Sequence, residues 1–429
     1  MSGLNRRVFL KSSAALFAAP YFVPARCFGA NERVTIGSIG VRNQGLPNMK
    51  KFLGLDVNLA GICDVDSDVR AAAVKVAAEK GQQPAEYDDY RRLLDRKDID
   101  AVVITVPDHW HALMTIHSCQ AGKDVYCEKP LSLAIAEGRR MVNAARQNQR
   151  VVQTGSQQRS GEEFWKACTL IRNGALGKLR SVLVGIPKSN YPGPLGPDSA
   201  PPANLDYEMW LGPAPQRPYN EKRVHYNFRF WWDYSGGQVT NFGAHHLDIA
   251  QWALGMDDSG PVSIDGTATF TQPNISEVTE TCRITYTYAN GVQVTLGQLQ
   301  KEIPVGVTFI GEKGKLFVTR KKLTCDPAEV LEQDVASLPV QLYRSNDHHR
   351  NFLSCLKTRE KPAADVEIGH RSATVCHLGN IVARLGRGVK WDPQAEKMVG
   401  NDEQAQAMVD RPYRAPWSHD MAYTASVSK

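Results

Sequence analysis

The segment from Val34 to Asp64 constrains this chain more than any other. Val34–Ile39 is a short apolar run that ends in Gly40, a helix-like stretch follows Gly45 to Phe52, and Val57–Cys63 forms a second β-rich run closed by Asp64. A strand, a tight turn, a helix and a second strand make a βαβ unit, whose ligand lies beyond the carboxyl ends of the strands. Gly40 permits the turn and Gly45 lets the helix pack close to the strand. The backbone N–H groups of Gly40-Val-Arg42-Asn43-Gln44-Gly45 are then free to meet a pyrophosphate at the helix start. The usual middle glycine of such a turn is replaced by Arg42, so either the loop widens or Arg42 swings out to pair with phosphate. Asp64 stands 19 residues after Gly45 at the end of the second strand. An acid there accepts hydrogen bonds from an adenosine ribose and repels a 2′-phosphate, which favours NAD over NADP.

The alternation continues. Asp66–Lys80 reads as a helix, Tyr87–Leu94 as another, and Asp100–Val106 as a buried strand. His111–Ala121 is helical, Asp124–Cys127 a strand, Ile135–Gln147 a helix and Val151–Gln153 a strand. The expected fold of residues 31–155 is a doubly wound parallel sheet of the Rossmann type.

A chain of 429 residues exceeds one ordinary core, so a second domain is expected. Arg6, Arg7, Lys11 and Arg26 carry four of the six net positive charges, and the remainder offers no electrostatic footprint for nucleic acid. The nine cysteines show no CxxC spacing, which argues against a structural metal or a redox pair. Arg6-Arg7-Val-Phe-Leu-Lys11 precedes a modestly apolar run, Ser12–Ala25, shorter than the ~20 residues that span a membrane. Residues 1–30 therefore read as a twin-arginine export signal, cleaved after Ala25 or near Ala30, with delivery to the periplasm and membrane contact only through the signal. That route carries folded proteins, which suits one that takes up its cofactor before export.

Three further motifs narrow the reading. Val106-Pro107-Asp-His-Trp-His111 and Tyr126-Cys127-Glu128-Lys129-Pro130 end two consecutive strands, and Gly236-Gly237-Gln-Val-Thr-Asn241-Phe-Gly243-Ala-His245-His246-Leu-Asp248 follows later. Together they resemble the glucose–fructose oxidoreductase, inositol dehydrogenase and MocA (Gfo/Idh/MocA) family over nearly all of the chain after residue 31. The resemblance implies a second α/β domain with a large open, mostly antiparallel sheet and a homo-oligomer, dimer or tetramer. It places Lys129 at the nicotinamide to polarise a substrate oxygen, Glu128 as the residue orienting that lysine and the nicotinamide ribose, and Pro130 as a backbone pin. Pro107 and His111 join the cofactor-binding set. His245 takes the substrate hydroxyl proton, a task suited to imidazole. Asn241, His245 and Asp248 are spaced to share one helical face, whereas His246 is turned away as a packing residue. Relatives with dehydrogenase activity usually carry Asp where this chain has Asn241, which still hydrogen-bonds substrate or Lys129 but adds no charge.

The second domain is expected over residues 156–400. Phe164–Asn173 reads as a helix and Leu179–Gly185 as a strand, and the Pro/Gly-rich segment Tyr191–Pro218 as a lid or oligomer arm. In the segment His225–Tyr234, Arg229, Trp231 and Asp233 suit a polyhydroxylated ring, because aromatic faces stack on C–H groups while charges meet hydroxyls. Ser263–Val318 is mostly β, with turns at Ala289-Asn-Gly and Gly311-Glu-Lys-Gly. Helices at His348–Lys357 and Gly369–Leu385 are placed to pack on the sheet or the first domain. The tail, 401–429, lacks periodicity and is expected to wrap a neighbour or stay loose.

The leading expectation is an NAD-dependent oxidoreductase moving a hydride to or from a sugar or cyclitol carbon, its cofactor tightly held. An NAD-dependent glycoside hydrolase working by transient oxidation and elimination is the alternative. A non-catalytic binding protein on the same fold is the third reading, opposed by the intact Glu128-Lys129 and His245.

Overall fold

The computed structural model describes residues 33–425, so the twin-arginine segment and its cleavage point lie outside the described residues. Six parallel strands form the first sheet: β1 (Thr35–Ile39), β2 (Asn58–Cys63), β3 (Ala85–Tyr87), β4 (Ala101–Ile104), β5 (Asp124–Cys127) and β6 (Val152–Thr154). Their spatial order is β3-β2-β1-β4-β5-β6. The order reverses between β1 and β4, which opens a crevice at their carboxyl ends. β4 and β5 are buried along their whole length, as expected of strands covered on both faces. The edge strand β3 is an addition to the sequence reading, which ran one helix through Tyr87–Leu94. Asp89 accepts a hydrogen bond from the Arg91 amide and starts the helix at Tyr90, releasing Ala85–Tyr87 to pair with β2.

The second sheet has nine strands: β7 (Leu179–Ile186), β8 (Ser263–Phe270), β9 (Thr279–Thr287), β10 (Gln293–Gln298), β11 (Gly306–Gly311), β12 (Gly314–Thr319), β13 (Lys322–Asp326), β14 (Val389–Asp392) and β15 (Lys397–Met398). Only β7 and β10 pair in parallel. Helices Glu162–Arg172, Gly243–Leu254 and Val366–Leu385 bury one face of this sheet in a large apolar core. The opposite face is lined by hydroxyls that pair across strands, Thr269 with Thr281 and Thr285 with Thr295.

Both late helices reach the first domain. Helix His348–Thr358 lays Phe352 against Phe52 and Tyr126. Helix Val366–Leu385 packs between the domains, so close at Gly369 that a Cβ there would sit 2.0 Å from the Thr154 hydroxyl. The tail departs from expectation. Trp417 is buried edge-on against Trp110, the His117 ring meets the Met421 carbonyl at 2.9 Å, and the Tyr423 amide donates to Gln120. Aromatic side chains spaced through an aperiodic segment anchor it to helix Asp108–Gln120 of its own chain.

Candidate active site

The glycine turn after β1 is built by close approach. Gly40 has φ +77°, and a Cβ on it would lie 2.4 Å from the Thr105 carbonyl oxygen. A Cβ on Gly45 would stand 2.1 Å from the Gly40 oxygen. Asn43 adopts φ +45° and turns the loop where a middle glycine would otherwise serve. Arg42 does swing out, but its guanidinium is gripped by Asp66. Asp64 is half-open to the cleft, with its carboxylate accepting from the Val41 amide at 2.9 Å and the Asp66 amide at 3.0 Å, and burial raises its pKa. These residues fit a dinucleotide: a tight glycine turn leads into a helix at the edge of the cleft, and an acid stands beside it for a diol. Gly45→Ala is expected to lower nucleotide retention about ten-fold or more, read as NAD(H) released by denaturing the purified protein.

The cleft that begins at this turn encloses about 510 Å³ and runs between the two domains. Gln44, Pro107, Glu128, Lys129, Arg229, Asn241 and His245 all line it. The Lys129–Pro130 peptide is cis. Lys129 extends across the domain boundary, its Nζ donating to the Asn241 side-chain oxygen at 2.8 Å and to the Asn241 carbonyl at 3.3 Å. Burial lowers the lysine's pKa, partly offset by Glu128 and Asp108. Glu128 holds the lysine by its backbone, accepting from the Lys129 amide at 3.2 Å, while Asn48 donates to its other oxygen at 2.9 Å. Asn48 also accepts from Gln44, so the glycine turn and the Glu-Lys-Pro motif share one hydrogen-bonded network.

His245 opens the helix that follows a break at Phe242, between helices Gln238–Asn241 and Gly243–Leu254. It is buried, its Nδ1 has no hydrogen-bond partner among the described residues, and burial followed by the Lys129 and Arg320 charges pushes its pKa far down. The imidazole is therefore neutral. His246 packs as expected, with Nδ1 2.8 Å from the Gly185 carbonyl.

Four sequence assignments need correction. His111 is buried behind the cleft, its ring nitrogens 2.7 Å from the Pro130 carbonyl and 2.9 Å from that of Val106, where it ties two strand ends together. Trp231 is buried in a separate aromatic core with its indole N–H donating to Lys222. Asp233 pairs with Arg217 and faces a second cavity. Asp248 is buried against Arg159 and Ser372, away from the cleft. Conversely, Asp108, Gln157, Tyr226 and Arg320 line the cleft without having been foreseen. Asp108 sits in a named motif at the first turn of its helix, accepting from the Ser235 hydroxyl at 2.6 Å, so its position was the available signal. The segment Tyr191–Pro218 forms a cleft wall within the chain: Asn204 donates to Asp66 at 2.9 Å, and Leu205, Met209 and Trp210 face inward.

Residues 34–156 match the oxidoreductase family's NAD-binding Rossmann fold, and residues 194–419 match that family's C-terminal alpha/beta domain. The chain belongs to the Gfo/Idh/MocA family. The Gfo/Idh/MocA chain is 31% identical over 206 residues to an alpha-N-acetylgalactosaminidase of Shewanella oneidensis, covering 42% of this chain and 45% of that relative. It thus aligns with less than half the length of that protein. Among solved structures, aldose-aldose oxidoreductase from Caulobacter crescentus aligns with TM-score 0.62 at 17% identity, over 84% of this chain and 100% of that one. The WlbA dehydrogenase from Bordetella pertussis, in complex with NADH and UDP-GlcNAcA, gives TM-score 0.61 at 19% identity over 84% and 99%. Likeness at these identities concerns the fold.

Proposed function

We propose that the protein is an NAD-dependent oxidoreductase that transfers a hydride to or from a carbon of a sugar or cyclitol. The observation that carries this reading is the single cleft in which the glycine turn and Asp64 meet Lys129, Asn241 and His245. Bound there, NAD supplies a hydride acceptor. Lys129 polarises the substrate oxygen, with its ammonium aimed by Asn241. The neutral His245 accepts the hydroxyl proton as that oxygen becomes a carbonyl. Asp64, beside the ribose position, favours NAD over NADP.

The protein is exported with its nucleotide bound, and the nicotinamide is reset within each cycle by a second substrate or half-reaction. The hydroxyl-lined open face of the nine-stranded sheet is the surface for a homo-oligomer, dimer or tetramer. Denaturing protein purified from an export-competent host releases NAD(H); an empty protein ends the retained-cofactor reading.

A second reading, an NAD-dependent glycosidase, draws on the galactosaminidase likeness and on the uncharged Asn241 beside the histidine. Incubation with aryl glycosides separates the two: aglycone released without net NADH means elimination, and accumulating NADH means dehydrogenation.

The two shifted groups set an expected pH profile. Because burial holds His245 neutral, kcat/KM stays flat on the acid side through the ordinary histidine range of ~6.5. Because the Lys129 pKa is lowered, raising the pH discharges it earlier than a free lysine, and kcat/KM falls at a pH below the ordinary lysine range of ~10.4. A profile with an acid limb near ~6.5 and no alkaline limb contradicts both assignments.

A further inference from the structure

Several arginines of this protein are matched with carboxylates: Arg42 in the cleft with Asp66, and, outside it, Arg139 with Glu367, Arg159 with Asp248 and Arg217 with Glu277. Two arginines of the cleft are different. Arg229 and Arg320 both line it, yet neither has a carboxylate at ion-pair distance among the described residues. Both are held in place. Arg229 donates through Nε to the Tyr226 carbonyl at 2.8 Å and stacks on the Tyr226 ring at 3.9 Å, so its two terminal nitrogens are left over. Arg320 lies exposed in the turn between β12 and β13, 5.6 Å from the Phe242 ring, and the Gln158 amide, turned so that its oxygen faces the guanidinium, accepts from its Nε at 3.2 Å.

At the Lys129 end of the cleft three cations, Lys129, Arg229 and Arg320, face two carboxylates, Glu128 and Asp108, which leaves one positive charge over. Glu128 is the near counter-charge of Lys129 and is bonded to Asn48, while Asp108 is bonded to Ser235. A positioned guanidinium without an acid is a fork for a planar anion, which it meets with two parallel N–H donors. An oxidised nicotinamide ring is itself cationic and would add to the excess. The Arg229 side chain is also half-buried, which raises what it gains from a bound counter-charge.

We propose that the cleft is built for a sugar carrying an anionic substituent, a carboxylate or a sulfate ester, with Arg229 and Arg320 as the residues that recognise it. This assignment rests on the redox reading for its sugar and adds the charge. The apolar surfaces of Phe228 and Phe242 in the same cleft suit the C–H faces of the ring.

The test titrates the holoprotein with methyl glycosides of glucose and galactose, the corresponding methyl glycosides of their uronic acids, and their 6-sulfates. Binding is read by calorimetry and turnover by bound-NADH absorbance. At low salt the best anionic ligand is expected to bind at least ~10-fold tighter than its neutral parent, and the gap closes as salt rises. Carboxylate or sulfate is named by whichever binds tighter. Arg229→Gln and Arg320→Gln each narrow the gap, and Arg320→Lys restores part of it. Equal or tighter binding of the neutral sugar, or a gap that survives both glutamine substitutions, overturns the proposal. The two readings fail separately. Turnover of neutral sugars without anion preference removes the charge assignment alone, whereas tight anion binding with no turnover of any sugar upholds it and removes the redox function.

Discussion

Replacing Lys129 by alanine is expected to lower kcat by about 10³-fold, equivalent to ~4 kcal/mol of transition-state stabilisation, while the protein stays folded and loaded with nucleotide. Three features support so large an effect. The lysine is half-buried, so its field on a developing oxyanion is screened less than at the surface. It is aimed by two contacts to Asn241, one to the side chain and one to the backbone, and so needs little reorganisation. Its backbone is fixed independently by Glu128, so truncation at Cβ leaves the nucleotide network of Gln44, Asn48 and Glu128 intact. Asn241→Ala is expected to cost less, about 10- to 100-fold, because it frees the ammonium without removing it. Single-turnover absorbance at the bound nicotinamide measures both. Activity of Lys129→Ala within threefold of the parent, roughly 0.7 kcal/mol, would remove the lysine from the chemistry and revive the non-catalytic reading.

What could be read from the sequence was what local geometry encodes. Gly40, Gly45 and Asp64 belong to one βαβ unit, where spacing along the chain is also distance in space; Gly40 and Asp64 line the crevice, and Gly45 packs directly behind Gly40. Lys129 and Asn241 were identified separately, and their 2.8 Å contact joins residues from different domains. Proximity along the chain misled where side-chain direction mattered. Trp231 and Asp233 precede the histidine helix closely, yet the turn His225–Phe230 aims Arg229 into the cleft and sends Trp231 into an aromatic core. Arg320 was invisible for the opposite reason. It reaches the site from the far hairpin of a nine-stranded sheet, a placement set by strand order that no motif around it announces. The tail was misjudged because its anchors are single aromatic side chains without helical or strand period.

Asp248→Ala is expected to destabilise the fold by about 3–5 kcal/mol, because it strands a buried guanidinium. Arg159 and Asp248 are each 1% exposed, and three of their atom pairs lie at 2.8, 2.9 and 3.0 Å. The Ser372 hydroxyl donates to the same carboxylate at 2.6 Å, joining helix Gly243–Leu254 to helix Val366–Leu385, and Asp257 takes the other edge of the guanidinium. Removing the acid leaves only the half-exposed Asp257 for a charge that has lost its water. Asp248→Asn keeps the shape and part of the hydrogen bonding and should cost less, whereas the pair Arg159→Met with Asp248→Leu should recover much of the loss, since apolar replacement of a buried ion pair is often neutral or better. Denaturant unfolding of the parent and the three variants measures the series. The prediction also separates two roles for one residue. An acid that contacted substrate would raise KM in the alanine variant while leaving the unfolding midpoint where it was. An acid that clamps Arg159 lowers the midpoint and leaves KM near the parent value in whatever fraction remains folded.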